Sequence, residues 1–342
     1  MGKGKVLVTG ATGFVAGHCI RELAENGYQV RGTVRSLEKS DVSHLGALGE
    51  LEFAQARLDS DDGWDEAARG CDYLLHVASP IPFTAPKRED DVIRPAVDGT
   101  LRALRAAAGA GIRRAVLTSS LDAICHDHAA AGHVRTEEDW SDLAQCSAYA
   151  KSKVLAERAA WDLSAARGLE VVTLMPGAVL GPALTSKRGS STDVIRRMLA
   201  REMPAIPPLS LAYTDVRDLA AAHRLALEVP AAAGNRYICA GDPMPLSGIA
   251  KLLAEEYGPR GYRVSLRTLP AWVLRAAAPF SGEARLAADM LGTTQQVSSG
   301  KAERELGWVR RPARETVIDT AEDLIAKGVL APPRHRREDA VA

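Results

Sequence analysis

Several protein classes are excluded by what this sequence lacks. Its 342 residues carry only five cysteines, Cys19, Cys71, Cys125, Cys146 and Cys239. They are odd in number, scattered and without a C-x-x-C pair, which argues against a disulfide framework or a zinc site and fits reduced thiols. Net charge is also absent: 43 Lys and Arg balance 43 Asp and Glu. No basic arm or helix stands out, so no nucleic-acid partner is expected. No stretch reaches the roughly 18 to 20 uninterrupted apolar residues that a bilayer crossing needs, so no membrane partner is expected either. The segment Met1 to Lys5 runs into a strand with no apolar leader before it, so no secretory signal is expected. Repeats and low-complexity linkers are missing as well. The expectation is a soluble, cytoplasmic protein, a monomer or homodimer. The tryptophans, at 64, 140, 161, 272 and 308, are dispersed and read as structural.

What is present is an alternation of short β-branched runs with longer helical patterns. Strands are expected at Lys5 to Thr9, Tyr28 to Arg35, Glu52 to Leu58, Asp72 to Ala78, Arg114 to Ser119 and Glu170 to Met175. Helices are expected at Phe14 to Asn26, Asp91 to Ala108 and Tyr149 to Ala166. Strands separated by single helices imply βαβ crossovers and a parallel sheet covered on both faces. The fold class is therefore α/β: a doubly wound parallel (Rossmann) sheet with a smaller, mostly helical C-terminal substrate lobe. After Pro182 the rhythm changes. A polar loop from Leu184 to Ser191, a helix from Asp193 to Arg201 and the breaks at Pro204, Pro207 and Pro208 come next. Asp215 to Leu227 reads as helix, and Arg236 to Ala240 as one more strand. The division expected is residues 1–181 as a nucleotide-binding domain rejoined by 213–241, residues 182–212 and 242–330 as the substrate lobe, and 331–342 as a disordered tail.

The first strand is followed by Thr9-Gly10-Ala11-Thr12-Gly13-Phe14-Val15-Ala16, a G-x-x-G-x-x-A turn that opens a helix. Gly10 permits the sharp turn, Gly13 lets backbone approach a pyrophosphate, and Ala16 lets helix and strand pack closely. The free N–H groups and positive dipole end of the helix then face the phosphates. At the end of the second strand an NAD enzyme usually places Asp or Glu for the ribose 2′-hydroxyl. Here Val34-Arg35-Ser36 stands there, with Lys39 close by, so a 2′-phosphate and NADP(H) are favoured.

Tyr149 and Lys153 form Y-x-x-x-K near the start of a helix and share a face. An ammonium beside a phenol favours phenolate and is expected to lower the tyrosine pKa from about 10, giving a proton donor suited to neutral pH. Lys151, at i+2, points elsewhere. Thr118-Ser119-Ser120 places hydroxyls at the C-terminal edge of the sheet, where ligands of such folds bind. No metal site is expected. His126-Asp127-His128 and His133 lack a known ligand spacing. Cys125 reads as a small buried apolar group, and Ile81-Pro82-Phe83 as either a pocket wall or ordinary loop packing.

Together with His76-Val77-Ala78-Ser79-Pro80 and Pro176-Gly177-Ala178-Val179-Leu180-Gly181-Pro182, these segments resemble the dihydroflavonol-4-reductase-like branch of the extended short-chain dehydrogenases/reductases. That branch includes cinnamoyl-CoA reductases, yeast-type methylglyoxal/carbonyl reductases and microbial aldehyde reductases. The resemblance continues through Asp215-Val216-Arg217-Asp218-Leu219 and Lys301 to Trp308. It implies NADPH-dependent reduction of a small-molecule aldehyde or ketone, with Ser120 orienting the carbonyl and Tyr149 as acid. Lys153 would also hold the nicotinamide ribose, Arg35 the adenosine phosphate and Pro176 the nicotinamide, with Ala78 and Ser79 lining its approach. Thr9, Gly10, Thr12, Gly13, Phe14 and Val15 would surround the pyrophosphate. One departure is Ala56-Arg57-Leu58, where the family has A-D-L with an Asp on the adenine amino group. Arg57 cannot accept that bond, so either the Leu58 backbone or Asp59 substitutes or the cofactor is held more weakly. Two rival readings remain. A sugar-nucleotide epimerase or dehydratase is disfavoured by Arg35 and by Leu121 after Ser120. A non-catalytic NADP(H)-sensing protein is disfavoured because Tyr149 and Lys153 are both kept.

Overall fold

A computed structural model describes residues 3–81, 86–126, 132–185, 189–293 and 295–330. Pro82, Phe83, Asp127, His128 and the tail from 331 lie outside the described residues.

Seven strands form one parallel sheet: β1 (Lys5–Val8), β2 (Gln29–Val34), β3 (Glu52–Gln55), β4 (Tyr73–His76), β5 (Arg114–Thr118), β6 (Glu170–Pro176) and β9 (Arg236–Cys239), in the order β3-β2-β1-β4-β5-β6-β9. The side-chain alternation of a strand sorts residues between the two faces. Val6 and Val8 of β1 enter one core, with Ile20 and Leu23 of α1 (Phe14–Glu25) and Leu219 and Ala222 of α6 (Val216–Glu228). Leu7 enters the other, with Ala67 of α2 (Trp64–Ala68), Ala103 and Leu104 of α3 (Asp90–Gly109) and Ala160 and Leu163 of α4 (Ala148–Arg167). This is the doubly wound parallel sheet expected. Chain order reverses between β1 and β4, so a crevice opens above their C-terminal ends.

Beside that edge lies a second sheet that the sequence reading did not anticipate. Its strands are β7 (Ala178–Leu180), β8 (Ser210–Asp215) and β10 (Pro243–Pro245), with β8 parallel to β7 and antiparallel to β10. It presses on the end of β6: a Cβ on Gly177 would stand 2.2 Å from the Ala212 carbonyl oxygen. Asp215, expected to open a helix, ends β8 and caps α6 by accepting from the Arg217 N–H at 2.8 Å. A third core joins β7 and β8 to α5 (Ser190–Leu199), α7 (Leu246–Tyr257) and α10 (Ala313–Ala326). The hairpin of α8 (Ala271–Ala277) and α9 (Gly282–Asp289) completes the lobe. Among the described residues no helix is long and apolar enough to cross a membrane.

Helix α4 is anchored by a buried carboxylate. Ser147 caps its start by accepting from the Ala150 N–H, and Gly168 closes it at φ +67. Two turns in, Glu157 is fully buried. It accepts from the Ser119 hydroxyl beyond β5, from Thr173 on β6 at 2.9 Å and from the Arg236 guanidinium on β9 at 2.7 Å. Arg236 lies 3.9 Å over the Trp140 ring and donates to the Glu137 and Asp139 carbonyls. Removing one partner of such a pair leaves a buried charge uncompensated, at a cost of about 3–5 kcal/mol. Glu157→Ala should therefore lose stability on that scale in chemical denaturation, and Glu157→Gln, which keeps the acceptor oxygen, should lose less.

Candidate active site

A cavity of about 1210 Å³ follows the C-terminal edge of the main sheet and continues under the lobe. Of the expected site residues it is lined by Thr9, Gly10, Thr12, Gly13, Phe14, Val15, Arg35, Leu58, Ala78, Ser79, Ser120, Tyr149, Lys153 and Pro176. Lys39 does not line it. The chain turns after β2, with Ser40 N–H donating to the Ser36 carbonyl and Lys39 N–H to the Ser36 hydroxyl, and the Lys39 side chain lies exposed.

One end of the cavity is made mostly of backbone. Gly10 sits at φ +74, and a Cβ there would approach the Ala78 Cβ to 3.0 Å. A Cβ on Gly13 would meet the Gly10 carbonyl at 3.1 Å. Gly13 caps α1 without a side chain, leaving the first N–H groups of the helix to an external acceptor. The Thr9 hydroxyl is spent internally, accepting from the Val77 and Ala78 N–H groups at 3.0 and 2.9 Å, so it ties the end of β1 to that of β4. Arg35 is exposed just past β2 and has no acidic partner among the described residues. Arg57 makes a two-pronged pair with Asp59 at 2.9 and 2.8 Å, which holds the Asp59 carboxyl down at about 2. Asp59, one of the two candidate substitutes for the missing family aspartate, is therefore already engaged. This cradle of bare backbone and a free guanidinium fits a dinucleotide.

The other end carries side-chain chemistry. Tyr149 and Lys153 lie one turn apart on α4, with the Lys153 Nζ 5.8 Å from the phenol ring centre. Lys153 donates to the Thr118 carbonyl at 3.3 Å, and burial pushes its ammonium down to about 8. The expected lowering of Tyr149 does not occur. Burial, and then the Asp122 charge, push its pKa up, against a smaller opposing effect of a hydrogen bond with Ser120. The Lys153 ammonium, which donates to the Thr118 carbonyl, is not among the causes that move the phenol. Ser120 is also committed otherwise than expected: its Oγ donates to Asp122 Oδ2 at 2.8 Å.

Three polar groups of this end were not assigned from the sequence. Asp122 accepts from His126 Nε2 at 2.9 Å as well as from Ser120. The only sequence signal was a Ser-x-Asp turn, since Ser120 caps a short helical turn by accepting from the Asp122 N–H. Tyr213 of β8 is buried against the lobe, and its hydroxyl has no partner among the described residues. Its position inside an unforeseen strand hid it. The surrounding wall is apolar, with Leu209, Leu211, Leu246, Ile249, Leu274 and Met290. Among the described residues no group of His, Cys, Asp and Glu is arranged to hold a metal, and His133 is bonded to Asp139. All five cysteines are free and buried.

Residues 6–240 match the NAD dependent epimerase/dehydratase family. The chain belongs to that family. Within it, its relatives are reductases of the extended short-chain dehydrogenase type. Cinnamoyl-CoA reductase 1 of Arabidopsis thaliana is 32% identical over 96% of this chain and 91% of its own length. Dihydroflavonol 4-reductase of Zea mays is 34% identical over 75% of each. The crystal structure of yeast methylglyoxal/isovaleraldehyde reductase complexed with NADPH superposes with a TM-score of 0.79 at 25% identity, covering 95% of this chain and 99% of that one.

For a family member with this site, the buried lysine has a measurable consequence. A lysine whose folded pKa is depressed below its unfolded value destabilises the fold wherever it is still charged in the unfolded chain. The penalty is full below about 8 and disappears as pH rises through the unfolded value near 10.5. Lys153→Met should accordingly stabilise the cofactor-free protein by roughly 1–3 kcal/mol at pH 6 to 7. The gain should shrink toward pH 10, as read by denaturation midpoints at each pH.

Proposed function

We propose that this protein reduces an aldehyde or ketone to the alcohol with NADPH, with Tyr149 as proton donor. The observation that carries the reading is the single cavity that joins the glycine turn and Arg35 at one end to Tyr149, Lys153 and an apolar chamber at the other. The cofactor, when bound, supplies the hydride. The protein's own groups do the remainder. The α1 N-terminus and the Gly10–Gly13 backbone bind phosphate. Arg35 takes the 2′-phosphate, which a guanidinium can meet with two parallel bonds. Pro176, Ala78 and Ser79 border the nicotinamide position, and Lys153 holds its ribose. Tyr149, protonated because it is buried, gives its proton to the carbonyl oxygen as charge develops there. The apolar walls suit a hydrophobic, aromatic or alkyl carbonyl compound and exclude water from the reacting centre. The reductase relatives and the NADPH complex of the yeast enzyme support the assignment.

NADPH and NADH consumption by the purified protein, followed by nicotinamide absorbance against a panel of aryl and alkyl aldehydes, α-keto esters and ketones, tests the reading. Turnover with NADPH is expected. Tyr149→Phe should cut kcat by about 100-fold or more while leaving NADPH affinity, read by fluorescence titration, within about threefold. An undiminished rate in that variant would sink the role of Tyr149. Tightly held NAD in the isolated protein, with no turnover of any carbonyl, would favour an epimerase or dehydratase instead.

For cofactor choice, Arg35→Asp should raise the Kd for NADPH by about 100-fold, the loss of a charge-assisted pair together with a new repulsion. The Kd for NADH should change little. Equal losses with both cofactors would show that Arg35 is not the phosphate ligand.

A further inference from the structure

The cavity wall carries a side-chain amide whose two ends are used differently. Gln295 lines the cavity and is 7% exposed. Its Oε1 accepts from the Ala212 N–H of β8 at 2.8 Å. A backbone N–H can only donate, so this bond fixes which end of the amide is oxygen and which is nitrogen. The nitrogen is not sealed from solvent space. It has no hydrogen-bond partner among the described residues. What remains accessible of Gln295 is thus a pair of unused N–H donors on a residue that lines the cavity. The Tyr213 hydroxyl, next along β8 from Ala212, also lacks a partner, but it is sealed off and meets no ligand where it stands.

The amide is held on both sides. The chain that follows it is tied to two other segments. Arg135 N–H donates to the Gln296 carbonyl and Ser298 N–H to the Arg135 carbonyl, each at 2.9 Å. The Ser299 hydroxyl donates to the Ala240 carbonyl at 2.6 Å and accepts from the Ala240 N–H at 3.1 Å. Val297 packs against the core that holds Leu121, Ile124 and Met175. Ala212, the anchor of the amide oxygen, abuts the end of β6. A Cβ on Gly177, the residue after Pro176, would stand 2.2 Å from the Ala212 carbonyl oxygen and 3.4 Å from Leu121, the residue after Ser120. Gln295 therefore belongs to the end of the cavity that Pro176 and Ser120 border.

We propose that Gln295 is a specificity-determining residue: its amide N–H donates to a second oxygen of the substrate, so the preferred substrate is a carbonyl compound with a further acceptor oxygen within a few bonds of the reacting carbon. The inference rests on the reductase reading above and narrows it. The neighbouring wall is apolar, with Leu209, Leu211, Leu246 and Ile249. A hydrocarbon substituent that fills this space displaces water from the amide and leaves a donor unpaired in a dry enclosure, which costs affinity. An acceptor in the same place keeps the bond, and a site built around such a bond rejects the analogue that lacks it. The amide is neutral, so it selects an ester, ketone, ether or hydroxyl oxygen without requiring an anion.

The test uses a matched pair, ethyl benzoylacetate and hexanophenone, in which an ester group of the first stands where the second has two methylenes. Calorimetry reads the Kd of each for the protein saturated with NADP+, where no hydride can move, and kcat/KM with NADPH is measured beside it. Differences intrinsic to the two compounds cancel when the ratio of their Kd values is compared between the unmodified protein and a variant. Gln295→Met keeps the length of the side chain and removes the donor. It should move the ratio toward hexanophenone by about 10-fold or more, with kcat/KM following. Gln295→Glu retains an oxygen for the Ala212 N–H, so it is the variant to use where the first does not fold. At about pH 9, where a carboxylate is ionised, it sets acceptor against acceptor and should move the ratio the same way. A ratio that stays put in the folded variants would overturn the proposal. The calorimetric readout needs no turnover. A ratio that shifts as expected in a protein that reduces neither compound nor any other carbonyl would reject the reductase reading while upholding the contact with Gln295.

Discussion

The burial of one carboxylate positions the chemistry of this protein. Glu157 has no access to water, and its oxygens are satisfied by groups from β6, β9 and the residue that follows β5. A charge in that position is tolerable only if every partner stays in place. The arrangement therefore locks the rotation and height of α4 against the sheet. Lys153 is one turn before Glu157 and Tyr149 one turn before that, so the lock fixes where the phenol and the ammonium stand relative to the C-terminal edge of β5 and β6. The same strand that supplies Arg236 to Glu157 also closes the main sheet against the lobe. Helix position, sheet closure and site geometry are consequences of a single satisfied buried charge.

Burial then sets the electrostatics. Water is excluded around α4, and desolvation penalises whichever form of a group is charged. The neutral phenol and the neutral amine are both favoured, so Tyr149 moves up and Lys153 moves down from one cause. A lysine–tyrosine pair read in isolation suggests the opposite for the tyrosine. The difference lies in the reference: the ammonium lowers a phenol that is otherwise solvated, whereas this one has already lost its water. Asp122 adds to the upward push because its carboxylate is anchored a hydrogen bond away from Ser120, within the same enclosed volume.

How much of this was legible in the sequence depended on whether a position is set by backbone or by side chains. The glycine turn was fully readable, because Gly10 at positive φ and the close approach at Gly13 are demands that only glycine meets, and the helix and strand around them are strongly patterned. The order of the strands through β6, with α1, α3 and α4, was equally plain from periodicity, whereas the five-residue α2 is too short to show a period. The lobe was not. Strand β8 carries Leu211-Ala212-Tyr213 straight into a helix, and its three-stranded sheet is closed by β10, which starts and ends in proline. Neither looks like a strand until the pairing partner is known. Without β8 there was no reason to place Tyr213 in the cavity wall. Lys39 stands outside the cavity wall for a related reason: proximity in sequence to Arg35 says nothing about which way a turn sends the next side chain.

The Ser120 region shows the same limit more sharply. Family resemblance made the serine a site residue, and the structure puts it in the wall of the same cavity as Tyr149 and Lys153. What the resemblance could not carry was the direction of its proton, because that depends on residue 122. An apolar or small residue there would leave the hydroxyl free to donate into the cavity. A carboxylate two residues on, pinned by a histidine four residues beyond it, takes the proton instead. Hydrogen-bond polarity is decided by the whole set of donors and acceptors around an atom, and a set assembled by a tight turn includes positions that a motif leaves unspecified. The catalytic motif therefore identifies which groups meet, while the residues between them determine which group donates.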